Sequence, residues 1–174
     1  MNKLVKMGRA VLVLGFLGVL VSAEASAATA TANLSVSATV AATCSISTTA
    51  LAFGAYDPVG ANASSPLDGT GTVVVTCTSG APAAVTLGQG ANANTGSTDA
   101  LPLRRMKDAS GAFLSYSLYQ DNGHTTIWGN TTLTSVAQTG SGTTSSINVY
   151  GRVAAGQNVG TGSYTDTVVA TVTF

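Results

Sequence analysis

Few residues in this 174-residue chain are equipped for chemistry. A Ser–His–Asp assembly has a single imidazole to draw on, His124, and no serine sits in a G-x-S-x-G nucleophile elbow. His124 adjoins the turn residues Asn122-Gly123, where a solvated polar side chain is expected. Past position 27 the acidic residues are Asp57, Asp68, Asp99, Asp108, Asp121 and Asp166, with no glutamate. They are scattered and mostly occupy turns, where Asx bonding accounts for them, and no spacing marks a carboxylate pair for glycoside hydrolysis. Gly69-Thr70-Gly71-Thr72 lacks the lysine and the strand–turn–helix setting of a phosphate loop. Cys44 and Cys77 have neither a C-x-x-C spacing nor companion ligands. The residues therefore predict no enzyme, no cofactor and no metal site.

Four aromatics, Tyr116, Tyr119, Trp128 and Tyr150, have the shapes of a sugar-binding face, but on strands such residues more often pack a core. Arg104 and Arg105 are adjacent on a strand candidate and so point to opposite faces, one of them expected to be half-buried beside an aspartate.

The elements that position these residues begin after a leader. Lys3, Lys6 and Arg9 precede an apolar run from Ala10 to Val21, and Ala25-Ser26-Ala27 is a small-residue cleavage site. This predicts an exported protein with a signal peptide over 1–27; a run of 12 apolar residues is short for a membrane span. In an exported chain the even cysteine pair reads as one disulfide. The remaining 147 residues carry four basic and six acidic side chains, a net charge of −2. That argues against nucleic acid and against an anionic membrane surface, both of which need clustered basic charge.

Thr and Val are abundant in the mature chain, Gly is frequent and helix-favouring Glu, Lys, Leu and Gln are sparse, so the composition predicts an all-β domain. Strands are expected at 30–42, 43–48, 50–56, 70–78, 83–88, 101–107, 112–120, 124–128, 131–137, 144–154 and 164–174, separated by Gly-, Pro-, Asn- and Asp-containing turns. Asp121-Asn122-Gly123 is the clearest hairpin signal, and 88–99 the longest loop, expected to be mobile. Residues 29–43, Thr-Ala-Thr-Ala-Asn-Leu-Ser-Val-Ser-Ala-Thr-Val-Ala-Ala-Thr, alternate with an apolar even face, yet no turn folds them back onto a neighbour. The final segment alternates too, with Tyr164, Val168, Ala170, Val172 and Phe174 on one face.

The pieces TCSISTTALAFGAYDP (43–58), GTGTVVVTCTSG (69–80), LRRMKD (103–108), LSYSLYQD (114–121), IWG (127–129), VYGRV (149–153) and GSYTDTVVATVTF (162–174) together resemble the spore coat protein U domain family. The likeness runs in order through the whole mature chain. It implies an all-β, immunoglobulin-like β-sandwich that is incomplete because its final strand is missing. It implies the divisions 1–27 signal peptide, 28–42 donor-strand extension and 43–174 sandwich domain, with Cys44 bonded to Cys77. The family includes major subunits of archaic chaperone–usher pili and a spore coat protein. For a pilus subunit the resemblance implies as partners a periplasmic chaperone, an outer-membrane usher and identical or homologous subunits. The donor strand plugs a neighbour's groove through Leu34, Val36, Ala38 and Val40, and the C-terminal strand with Val168, Ala170, Val172 and Phe174 is the chaperone's docking edge. The expected function is thus a structural subunit of an extracellular polymer, with a spore or cell-surface coat protein as the alternative and a carbohydrate-binding adhesin the least favoured.

Overall fold

Small β-favouring residues run through Leu67–Cys77 and Thr144–Val153, and these two long strands form the spine of the fold. The computed structural model describes residues 26–174; the expected signal peptide, its last two residues apart, lies outside them. Eight strands follow in order: β1 Cys44–Thr49, β2 Leu67–Cys77, β3 Pro82–Leu87, β4 Arg104–Lys107, β5 Phe113–Tyr119, β6 Val136–Thr139, β7 Thr144–Val153 and β8 Ala170–Thr173. Every pairing is antiparallel, in one sheet of order β1-β2-β7-β5-β4 and another of order β6-β3-β8. Among the described residues there is no α-helix, only single 3-10 turns at Ala61–Ala63 and Thr132–Thr134. Residues 39–174 form one compact unit, and the N-terminal stretch before them is a unit of its own.

Period-two alternation decides what is inside. From the five-stranded sheet Val73, Val75, Leu114, Tyr116, Leu118, Val149 and Val153 point inward and meet Val85 and Leu87 of β3. Trp128, which no strand carries, is fully buried among them, and its indole N–H donates to the Val85 carbonyl at 3.0 Å.

Cys44 and Cys77 stand directly opposite in the β1–β2 register and are joined by a disulfide, S–S 2.01 Å. The bond closes a loop with a sequence separation of 33. Cys44→Ser is expected to cost roughly 4 kcal/mol on the chain-entropy account. Urea unfolding of the variant measures this, and an unchanged midpoint would refute a stabilising role.

Several expected strands take another form. Residues 50–56 carry no ladder, and 124–128 make only the isolated bridge of Ile127 to Tyr119. The 101–107 strand begins at Arg104, and 131–137 divides into a 3-10 turn and β6. The last strand is regular over Ala170–Thr173, with an isolated bridge of Thr165 to Lys107 ahead of it. Residues 26–43 carry no strand. A strand exists only through its partner's hydrogen bonds, and amphipathic alternation does not supply one.

Candidate functional site

The two sheets do not close against each other along one side. Between residues 48–56 and residues 159–170 lies a groove of about 1030 Å³, floored by core side chains that include Val73, Leu114, Leu118, Val149 and Val153.

The first wall is built on missing side chains. Leu51 and Phe53 lie against Gly69 and Gly71 of β2 and Gly151 of β7. A Cβ at Gly151 would sit 2.8 Å from both Leu51 Cδ1 and Phe53 Cζ, and one at Gly71 would sit 3.0 Å from Leu51 Cβ. Glycine inside a strand here marks the close approach of another segment. Tyr56 fixes the end of this wall: its hydroxyl donates to the Ala154 carbonyl at 2.9 Å and accepts from the Gln157 amide at 2.9 Å.

The second wall is the C-terminal segment. Thr165 exchanges both backbone hydrogen bonds with Lys107, at 2.8 and 3.0 Å. Further on, the carbonyls of Thr167 and Val169 accept from Ala91 and Gly88, and β8 then pairs with β3. The backbone groups of these odd-numbered residues are thus spent on one edge. By the alternation of an antiparallel strand, those of Val168, Ala170 and Val172 face the other edge. Val168, Ala170 and Val172 are half-buried against the core, whereas Phe174 is 55% exposed.

One end of the groove is polar. Tyr116 and Asp166 both line it, and the Tyr116 hydroxyl donates to Asp166 Oδ2 at 2.7 Å. Burial, with the Asp166 carboxylate beside it, raises the Tyr116 phenol far above its ordinary value, so the hydroxyl remains a donor. Asp166 Oδ1 accepts from the amides of Ala91 and Asn92 and from Asn92 Nδ2, at 3.0, 3.2 and 3.1 Å. The 88–99 loop, expected to be mobile, is therefore tied down.

Behind the groove Arg104 is 1% exposed and donates to the carbonyls of Leu87, Gly88 and Trp128. Burial pushes its guanidinium down to about 10, which still leaves it cationic at neutral pH. Arg105 donates to the carbonyls of Asn92 and Ala93 and lies over the Phe113 ring at 3.8 Å. The two arginines do diverge, but carbonyls hold them where an aspartate was expected, because loop backbone and not a carboxylate reaches the β4 edge.

The aromatics do not share a face. Tyr116 and Trp128 are core, whereas Tyr119 and Tyr150 are neighbours on the outer face of the five-stranded sheet. His124 is not the solvated residue expected: its side chain is 6% exposed, edge-on to Tyr119 and Tyr150, with Nε2 3.7 Å from Asp68 Oδ1. Arg152, bonded to Asp68 at 2.7 and 2.8 Å, holds that carboxyl below the usual range. Among the described residues no three of His, Cys, Asp and Glu are placed to hold a metal ion.

Of the residues singled out by sequence, the structure joins Cys44 to Cys77, sets Val168 and Ala170 along the groove and packs Val172 on the core. Leu34, Val36, Ala38 and Val40 are exposed and in no strand. The wall at 50–56 and the polar anchor at Asp166 went unrecognised. The signal for the first was present in Gly69-x-Gly71 within a β-rich run.

The spore coat protein U domain model matches residues 30–171. Protein U of Myxococcus xanthus is 50% identical over 138 residues, covering 75% of this chain and 77% of that protein. Among solved structures, the chain is similar to one in the CsuC–CsuE chaperone–tip adhesion subunit pre-assembly complex of the archaic chaperone–usher Csu pili of Acinetobacter baumannii. There the TM-score is 0.55 at 20% identity, over 78% of this chain and 40% of that chain. At that identity the likeness establishes the fold alone, the immunoglobulin-like sandwich expected from the sequence. Two sheets, a β1–β2 disulfide and a family match across the sandwich agree: the chain belongs to the spore coat protein U domain family.

Proposed function

We propose that the protein is a non-enzymatic structural subunit of an extracellular polymer, assembled by inserting residues 28–42 of one copy into the groove of the next. The observation that carries this reading is the open apolar groove beside the unpaired edge of the last strand. An incoming strand supplies ladder hydrogen bonds to that edge and side chains to the floor, the mode of β-strand addition. Nine residues, 48–56, line the groove, a span of about 30 Å in extended chain. The segment 28–42 is long enough to fill it. Leu34, Val36 and Val40 then contribute about 1.5–3 kcal/mol each on burial.

A second copy is favoured over self-insertion. Between Leu34 and Cys44 there is no Gly, Pro, Asn or Asp and only Ser35 and Ser37 among turn-favouring residues, so the chain lacks the strong signals of a tight reversal into its own groove. Until a partner arrives, the open edge needs a guardian, because unpaired strands aggregate. The relative in the Acinetobacter complex is paired with a chaperone. We assign that role here to a periplasmic chaperone docking on the C-terminal strand, with an outer-membrane usher as the place of exchange and signal peptide 1–27 as the route of export.

Electron microscopy of surface material released under mild conditions tests the reading. Rod-like, detergent-resistant polymers containing this chain are expected; only monomeric protein would contradict it. The likeness to Protein U favours a second reading, a coat laid on a spore or cell surface. Immunogold labelling that follows the cell outline without extended fibres selects the coat.

A further inference from the structure

An open apolar groove tends to close, because joining its walls removes apolar surface from water. The start of the wall at 159–170 has little to resist this, with Gly160 and Gly162 in it and no backbone bond to a neighbouring strand before the bridge of Thr165 to β4. Its inward-facing side chains are Tyr164, Asp166, Val168 and Ala170. A carboxylate in that row needs a reason, since a half-buried charge is costly without donors.

Asp166 is supplied with four donors: the Tyr116 hydroxyl, the Ala91 and Asn92 amides and the Asn92 side chain. The loop is shaped to deliver them. Gly90 has φ 86°, and a Cβ there would collide with the Asp166 carboxylate. The loop is itself fixed to β4, because Arg105 grips the next two carbonyls, Asn92 and Ala93. It flanks the last strand on the edge away from the groove, where Ala91 and Gly88 bond the carbonyls of Thr167 and Val169.

Resting on the strand-acceptor reading above, we propose that Asp166 is the positioning residue that holds this wall back and keeps the groove open for the incoming strand. It clamps the wall to an anchored loop by polar bonds, which stay satisfied whether the groove is empty or filled. The same carboxylate, inward on an unpaired edge, disfavours wrong partners that bury apolar side chains against it.

The test uses the full chain and a fluorescein-labelled synthetic peptide of residues 28–42, with binding read by anisotropy. Asp166→Ala is expected to weaken uptake about tenfold or more, the scale of one lost charge-assisted hydrogen bond. Asp166→Asn keeps an acceptor for the loop amides and a donor toward the Tyr116 oxygen, and is expected to restore uptake to near the unsubstituted level. Equal uptake by the unsubstituted chain and Asp166→Ala overturns the clamp and leaves the acceptor reading standing. No uptake by the unsubstituted chain overturns both. If Asp166→Ala does not fold, Tyr116→Phe decides, because it removes one clamp bond while making the groove more apolar. Weaker uptake by Tyr116→Phe supports the clamp, and unchanged or stronger uptake refutes it.

Discussion

Removing residues 29–42 is expected to abolish polymer formation while 43–174 still folds and forms the Cys44–Cys77 bridge. The proposed donor carries three large apolar side chains, Leu34, Val36 and Val40, exposed by 87%, 84% and 82%. Burying them in a neighbour supplies several kcal/mol at about 1.5–3 kcal/mol each, and the ladder to the last strand adds to this. Affinity changes tenfold for every 1.4 kcal/mol or so. Losing all three side chains and the ladder therefore lowers subunit association by at least about a thousandfold on the same scale. The groove belongs to 48–170, so the shortened chain keeps it and is expected to retain chaperone binding. Leu34→Asp combined with Val36→Asp is the subtler variant, because it preserves length and places carboxylates against an apolar floor. Size-exclusion chromatography and electron microscopy read the outcome for both. Full-length fibres from the deleted chain would end the donor-strand proposal.

Trp128→Ala is expected to be the most damaging single core substitution, at about 3–5 kcal/mol. The side chain is fully buried, and the residue ties three parts of the sandwich together. Its indole bonds Val85 of β3, its amide donates to the Leu118 carbonyl of β5, and its carbonyl accepts from Arg104 of β4. Truncation leaves a cavity, removes the indole bond to the Val85 carbonyl and loosens the seat of a buried guanidinium. Against a native stability of about 5–15 kcal/mol this is a large fraction, so low yield of soluble protein accompanies a lowered midpoint. Trp128 is the one tryptophan of the chain, so far-UV circular dichroism rather than fluorescence must follow the unfolding. A midpoint within error of the unsubstituted protein would show that packing around Trp128 is not what joins the sheets.

The sequence marked features that depend on near neighbours along the chain. Alternation over 164–174 assigned Val168, Ala170 and Val172 to one face, and the structure packs all three on the core. Position 166 interrupts that apolar row, and the interruption is the aspartate now placed at the clamp. The hairpin signal at Asn122-Gly123 corresponds to a real reversal, with Trp128 bonding back to Leu118. Only the isolated bridge of Ile127 to Tyr119 forms after the turn, because the Asp121 carboxylate accepts from the Thr125 and Thr126 amides and takes over the backbone there.

What the residues alone determined is local: an all-β chain, a cysteine pair for one disulfide, amphipathic segments at each end and the absence of catalytic groupings. These follow from period, composition and turn chemistry, which need no knowledge of partners. The tertiary structure decided which alternating segments are strands at all. Residues 50–56 have the pattern of a strand, yet they lie as a bare wall on Gly69, Gly71 and Gly151. The groove exists because no segment of the sandwich pairs with the free edge of the last strand. A backbone edge left open is a property of the assembled sheets, and no residue in the sequence spells it out.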